Sequence, residues 1–444
     1  MLYPTAILGP LLILFGTIAL ALTEPRVGPL TIRRPAAALL GALASIAIGA
    51  VSIESALTAV RFLVEPVTTI VSLMLITLVA ERAGFFRILA AGLVVAANGD
   101  ARRLFTLIFL AGAAAGSVFT NDAVVLIFTP TIVRLIGEID DGTWVLENKI
   151  PYFFAVLYVA NLVGGLVISN PINIVVAKFF AISFLEYAAW MIVPAIVSII
   201  ATYAGLRVAF RRSLPHHFIP PSATLMPRIT HLTTTAGAIL VVALCAFFLG
   251  EPLGVATWIV AASGAVTLLT ATALLDRPSL APVVRGVGWD VIVFVTGIFI
   301  ISVGLRNAGL TALLTARISA AGTDLWDLTG TAALMAAGLS AVLNNHPTAN
   351  LMALAIDELP GASQQVKKLV ALSALIGGDL GPKMLPVGSL AALLWLRLLA
   401  ARGITIPVSR YVAIGVPVTL FALMLAVWTL NLEIAVARGV FGVR

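Results

Sequence analysis

The sequence predicts an all-α polytopic membrane protein made of two inverted-topology repeats, each of about five transmembrane helices plus one re-entrant hairpin. Three observations carry this. Of 444 residues, 61% are hydrophobic and only 11% charged, with a mean hydropathy of +1.10. Most of such a chain must face lipid or other apolar helices. Apolar runs of roughly 17–25 residues recur, each long enough to span a bilayer as a helix, without the strict alternation and aromatic girdles of an outer-membrane barrel. Finally, the two halves align with each other at their most unusual segments.

In chain order, Met1 to Leu22 lacks a basic n-region and a small-residue cleavage site, so it reads as a first span near 4–22 and not as a removed signal peptide. Spans near 35–53 and 66–83 follow. Residues 104–137 hold Thr120-Asn121-Asp122 at their centre and fit a re-entrant hairpin better than one crossing. Residues 150–180 form a helix broken at Ser169-Asn170-Pro171-Ile172-Asn173, and 187–209 closes the first repeat, 1–210. The segment RRSLPHHFIPPSATLMPR, 211–228, is a polar linker whose His216 and His217 read as solvated loop residues and not metal ligands. The second repeat, 229–434, has spans near 230–249, 255–275, 288–306 and 407–431, a second hairpin over 328–358 centred on Asn344-Asn345-His346-Pro347, and a second broken helix over 366–399.

The duplication shows where LVAERAGFFRIL (Leu78 to Leu89) matches VGLRNAGLTALL (Val303 to Leu314), and Val118 to Asn121 matches Val342 to Asn345. Likewise GGLVISNPIN (Gly164 to Asn173) matches Gly377-Gly378-Asp379 and the proline after it. Five full spans plus a hairpin returning to its own side give an odd number of crossings, which inverts one repeat relative to the other. Lys and Arg fall on one set of loops by more than two to one when both termini are placed outside the cytoplasm. That bias accounts for the net charge of +7, which in a soluble protein would suggest nucleic acid. The expected location is the cell inner membrane, multi-pass, with 211–228 cytoplasmic. The single cysteine, Cys245, excludes an intramolecular disulfide and a multi-thiolate metal site.

Chemistry concentrates in the four polar interruptions, above all IGGDLGPKMLPVGS, Ile376 to Ser389. An ionised group at mid-bilayer costs at least about 2.5–3.5 kcal/mol, and Gly381-Pro382 frees backbone groups that lipid cannot satisfy. A binding site offsets both. Broken half-helices aimed at a midplane cavity supply N–H donors from one end and carbonyl acceptors from the other. Asp122 and Asp379 are the candidate proton carriers, and Lys383 is the cation that would tune Asp379. A static Asp379–Lys383 pair is the structural alternative, and His346 either shares a proton or is a structural histidine. Glu81 and Arg306, at matching repeat positions, read as snorkelling or topological charges.

At these motifs the chain resembles the ArsB arsenite efflux permeases of the ion-transporter superfamily. The likeness covers nearly the whole chain and is densest in TNDAVVLIFTP (Thr120 to Pro130), SNPINIVVA (Ser169 to Ala177), LNNHPTANLMALAI (Leu343 to Ile356) and DLGPKMLPVGSLAALLWL (Asp379 to Leu396). The family pattern often has leucine where His346 stands and threonine where Leu385 stands. The resemblance implies a transporter, not an enzyme, exporting arsenite and antimonite from the cytoplasm in exchange for protons, in some relatives with a separate ArsA-type ATPase. No cofactor and no metal are implied, and the chain has no phosphate-binding Walker motif. Arsenite near neutral pH is an uncharged trihydroxide, so hydroxyl and amide groups suit it: Thr120, Asn121, Ser169, Asn170, Asn173, Asn344, Asn345 and His346, with Gly381 and Pro382 at the break. Two rival readings remain. A sodium/proton antiporter or anion transporter shares the scaffold, although the dicarboxylate branch carries Ser-Asn-Thr in both halves. An intramembrane aspartyl protease would use Asp122 and Asp379, but no tyrosine precedes Asp122 and Met384-Leu385-Pro386 stands where a Pro-Ala-Leu motif would.

Overall fold

The computed structural model describes residues 4–27, 30–140, 142–219, 229–276 and 280–441, nearly all helical. The first half comprises α1 (Pro4–Thr23), α2 (Arg34–Ala47), α3 (Ile53–Arg82), α4 (Phe85–Ala97), α5 (Ala101–Val118), α6 (Asn121–Ile139), α7 (Leu146–Val159), a 3-10 turn Val167–Ser169, α8 (Pro171–Phe179) and α9 (Phe184–Ala209). The second comprises α10 (His231–Gly250), α11 (Thr257–Asp276), α12 (Ala281–Gly286), α13 (Trp289–Asn307), α14 (Leu310–Ser319), α15 (Leu325–Leu343), α16 (Asn345–Asp357) and α17 (Gln364–Leu380). It ends with 3-10 turns Gly381–Lys383 and Pro386–Gly388, then α18 (Leu390–Ala400) and α19 (Val408–Phe441). Among the described residues eight helices are long and apolar enough to cross a membrane. The only paired strands described there are two residues each, Arg26–Val27 against Leu30–Thr31.

Three expected spans have different bounds, and the last, expected near 407–431, runs on to Phe441. The helix expected near 66–83 starts at Ile53, because Ser52 caps it by accepting from the Ser55 N–H at 3.1 Å, so Arg61 sits on the helix and not in a loop. The run expected over 35–53 stops at Ala47, and Gly49, at φ +74°, turns the chain away. At about 1.5 Å per residue, α2 is shorter than the hydrocarbon core. The linker begins on the surface: Phe218 N–H donates to Gly99 O and Ala101 N–H to His216 O, which ties it to the start of α5. His216 and His217 are exposed, and 220–228 lie outside the described residues.

Element order and local geometry recur between the halves. The aligned glycines Gly84 and Gly309 both adopt left-handed conformations, φ +79° and +88°, immediately before α4 and α14. Such φ values suit glycine, which has no Cβ to clash. Asn170 and Ser389, each preceded by a 3-10 turn, share extended geometry (φ/ψ −142°/135° and −131°/122°) and cap α8 and α18 through their side chains. Packing partners recur too: α2 lies on α13 and α11 on α3, while α9 and α19 pack together.

The tightest helix contact is α15 against α17 and its break. A Cβ built on Gly377 would lie 2.0 Å from Ala333 O, on Gly381 2.3 Å from Ala337 O, and on Gly388 2.7 Å from Ala341 O. Alanines four residues apart thus face glycines, the small-residue seam by which membrane helices bring their backbones together. Buried hydroxyls pin it: Ser340 Oγ donates to Gly378 O, Ser373 Oγ to Thr329 O, and Thr329 Oγ1 to Asn431 Oδ1 on α19.

Candidate functional site

The two broken helices meet each other. Asp379, the second-last residue of α17, is fully buried, and its carboxylate is received by the break of the first half. Asn170 Nδ2 donates to Oδ1 at 2.6 Å, while Gly164 N–H and Asn173 Nδ2 donate to Oδ2 at 3.1 and 3.4 Å. Local sequence prepares each donor. Pro171 at the first helical position of α8 fixes Asn170 as its cap, and Asn170 Oδ1 accepts from Ile172 N–H at 3.3 Å, which orients its amide toward Asp379. Gly164 leaves room for these bonds, since a Cβ would lie 2.2 Å from Ser169 Oγ and 2.4 Å from Asn173 Nδ2 and displace both side chains. A second crossing bond also has its donor in the first half: Asn161 Nδ2 donates at 3.0 Å to Ser389 Oγ, which also accepts from Ala392 N–H as the cap of α18. Each helix cap after a break is therefore held by a polar side chain of the opposite half.

Lys383 is not ion-paired with Asp379: among the described residues its ammonium has no salt-bridge or hydrogen-bond partner. The static-pair alternative is thereby corrected. Burial at 1% exposure leaves Nζ above the face of Tyr158, 5.2 Å from the ring centroid, a cation–π placement. Arg306 is likewise no lone snorkelling charge, since it bridges Glu358 at 2.9 Å and Asp357 at 3.3 Å at the C-terminal end of α16.

The other anticipated residues divide. Ser169 is buried but spends its hydroxyl on Leu166 O at 2.8 Å. Gly381 and Pro382 are buried at the break, where Gly381 serves the close approach of Ala337. Asn344, between α15 and α16, sits at φ 79°, ψ 160°, a region almost reserved for glycine and costing about 1–3 kcal/mol. Its Oδ1 accepts from His346 N–H at 3.2 Å while its Nδ2 is buried without a partner. The His346 ring lies edge-on to Phe294, and Asn345 is half-buried at the start of α16. Thr120 Oγ1 is buried, with no hydrogen-bond partner among the described residues, at the tip between α5 and α6, where the side chains of Asn121 and Asp122 lie outside the described residues. Sequence reasoning missed Gly164, Asn161 and Ser389. The paired glycines Gly164-Gly165 and Gly377-Gly378 were the available signal for the first. A cavity of about 380 Å³ lies elsewhere, between α3, α4, α6 and α12, bordered by Glu81, Arg87, Ile127 and Thr131, and shares no residue with the crossed breaks.

Residues 10–434 match the family model described as arsenical pump membrane protein, ArsB. The chain is 33% identical over 405 residues to an arsenical pump membrane protein of Escherichia coli, covering 90% of this chain and 93% of that one. It is 35% identical over 377 residues to the Yersinia enterocolitica protein of the same description, covering 83% and 86%. A putative arsenical pump membrane protein of Bacillus subtilis is 24% identical over 365 residues, covering 78% and 82%. Among solved structures, the Alcanivorax borkumensis YdaH transporter, described as having an unusual topology, superposes with a TM-score of 0.54 at 14% identity over 98% of each chain. That likeness concerns the fold alone.

Proposed function

The chain belongs to the ArsB family of arsenical pump membrane proteins, and from that premise we propose that it exports arsenite, and antimonite, from the cytoplasm in exchange for protons. The observation that carries the reading is the Asp379 carboxylate, buried and held by three N–H donors from the opposite half. An ionised carboxylate only accepts, so three donors suit it; a protonated one carries an O–H donor of its own. That O–H takes the carboxyl's remaining site, and loss of the negative charge weakens the bonds from all three donors. Because carboxylate and donors belong to different halves, taking up a proton loosens the contact between the two breaks. The amides of Asn170 and Asn173 are loosened by the same event and become available to a hydroxylated solute. Proton occupancy and solute binding are in this way tied to one local rearrangement.

The matched breaks, caps and left-handed glycines support reading the halves as inverted repeats, and the Lys/Arg bias supports an inner-membrane orientation with both termini outside. One charge moved inward down 100 mV yields about 2.3 kcal/mol, which at about 1.4 kcal/mol per decade sustains roughly a fifty-fold gradient of a neutral solute. A separate ArsA-type ATPase is then an optional partner. The test is arsenite uptake into everted vesicles energised by a pH gradient, with and without an uncoupler. Uncoupler-sensitive accumulation is expected. Sodium-dependent proton flux indifferent to arsenite would instead favour the antiporter reading.

A further inference from the structure

Part of the polar ring anticipated for the substrate is spent on the protein itself: Asn170 and Asn173 donate to Asp379, and Ser169 to Leu166 O. Unspent polar groups gather on the other side of the second break. Gly415 of α19 faces it so closely that a Cβ there would lie 2.6 Å from Lys383 O, 3.4 Å from Met384 O and 3.6 Å from the Tyr158 hydroxyl. Tyr411 and Thr419 lie four residues before and after Gly415, on the same helix face. Phe154, one turn before Tyr158 on α7, touches both Tyr158 and Tyr411, with centroids 6.2 and 6.3 Å apart. Lys383 Nζ and the hydroxyls of Tyr158, Tyr411 and Thr419 are each on residues no more than 1% exposed; the Tyr158 and Thr419 hydroxyls lie within reach of each other, while Lys383 Nζ and the Tyr411 hydroxyl have no hydrogen-bond partner among the described residues. Two unpartnered groups beside a hydroxyl pair at one junction are costly, because a buried polar group left unmade forfeits its hydration.

We propose that Lys383, Tyr158, Tyr411 and Thr419, with the Lys383 and Met384 carbonyls, form the subsite that holds the oxygens of a small neutral polyhydroxy solute. This rests on the transport reading above and supplies binding residues that the polar motifs did not indicate. The composition selects the ligand class. One ammonium and three hydroxyls donate to lone pairs, whereas the two carbonyls accept protons; an anion would meet the carbonyls repulsively, while a trihydroxide uses both. Gly415 lets the α19 backbone come up against the break, and the Tyr158 ring carries the lysine charge without neutralising it.

The test deletes single hydroxyls while keeping ring and volume: Tyr158→Phe, Tyr411→Phe and Thr419→Val, with Gly415→Ala to push α19 away from the Lys383 carbonyl. Two measurements are made, arsenite binding to detergent-purified protein without a gradient, and initial rates of arsenite uptake in everted vesicles. Each hydroxyl deletion is expected to raise Kd and KM about tenfold with Vmax within a factor of two, equivalent to about 1.4 kcal/mol. Gly415→Ala is expected to weaken binding more. The thermal midpoint of each purified variant separates lost binding from lost folding, and the tyrosine variants retain the buried ring. Unchanged Kd in all three hydroxyl deletions, or chloride displacing arsenite competitively, would overturn the subsite. If wild-type protein neither binds nor transports arsenite, the transport reading itself fails, which is a distinguishable result.

Discussion

Replacing Asp379 with asparagine tests the central contact at almost constant shape. The carboxylate now accepts from Asn170 Nδ2 at 2.6 Å on one oxygen and from Gly164 N–H and Asn173 Nδ2 on the other. An amide has one acceptor oxygen and one NH2. If its oxygen takes the Gly164 side, its NH2 faces the Asn170 amide, which cannot flip without losing the Ile172 cap. If the oxygen takes the Asn170 side, two donors lose their acceptor. Either way at least one buried donor is stranded, at about 1–3 kcal/mol. Removing a buried charge offsets part of that cost, so the variant is expected to insert and fold. Transport changes far more, because a neutral amide cannot cycle a proton: accumulation that reaches roughly fifty-fold per proton at 100 mV is expected to fall to equal concentrations on both sides. The assay is steady-state arsenite accumulation in everted vesicles, normalised to protein in the membrane. Wild-type, uncoupler-sensitive accumulation by Asp379→Asn would refute the coupling argument outright.

Other perturbations probe its supports. Gly164→Ala forces a Cβ to 2.4 Å from Asn173 Nδ2 and is expected to cut coupled uptake tenfold or more, the equivalent of one charge-assisted hydrogen bond of about 1.5–3 kcal/mol; unaltered uptake would detach Asn173 from the mechanism. Ser389→Ala removes the α18 cap and strands Asn161 Nδ2, an expected loss of about 2–4 kcal/mol measured by thermal unfolding in detergent, with Ser389→Thr restoring most of it. Beyond the helices, the hydrogen bond from Lys149, at 2.5 Å, holds the Asp140 carboxyl below its ordinary range, helped by the Gly142 and Trp144 N–H groups and opposed by burial. A lowered folded pKa stabilises above the unfolded value of about 3.9 and is lost as pH falls through the folded one. Asp140→Asn should therefore lower the thermal midpoint at neutral pH, and the gap to wild type should close as pH drops below about 4.

Much of this architecture was legible because bilayers penalise polar interruptions. Asp379, Asn170 and Asn173 stood out against apolar surroundings, and the broken helices fall where Pro171 and Gly381-Pro382 deny helical continuation. Helix starts were less readable: the spans expected near 35–53 and 66–83 left 54–65 between them, yet those residues lie on α3, where Glu65 pairs with Lys178 at 2.5 Å. What the sequence withheld was partnership. Nothing local indicates that Asn170 donates to a carboxylate 209 residues away and so is not a free ligand. Tyr411 and Thr419 were silent because a tyrosine and a threonine in an apolar helix are ordinary. Only the placement of Gly415 against Lys383 and Tyr158 makes them neighbours of the break.

The two crossing bonds differ in the one respect that bears on coupling. Asn161 with Ser389 joins an amide to a hydroxyl, neither of which titrates in the physiological range, so that link is indifferent to protons. Asp379 with Asn170, Asn173 and Gly164 joins a titratable group to three donors, a link that holds only while the carboxylate accepts. Were both crossings neutral, protons could not act on the contact between the breaks; were both carboxylates, two buried charges would have to be desolvated at several kcal/mol each. In the proposed proton exchange, one neutral and one ionisable crossing would leave a contact at which the breaks stay joined and a second that protonation weakens. Motion would then be directed to the Asp379 side of the site, next to Lys383, Tyr158, Tyr411 and Thr419 of the proposed subsite.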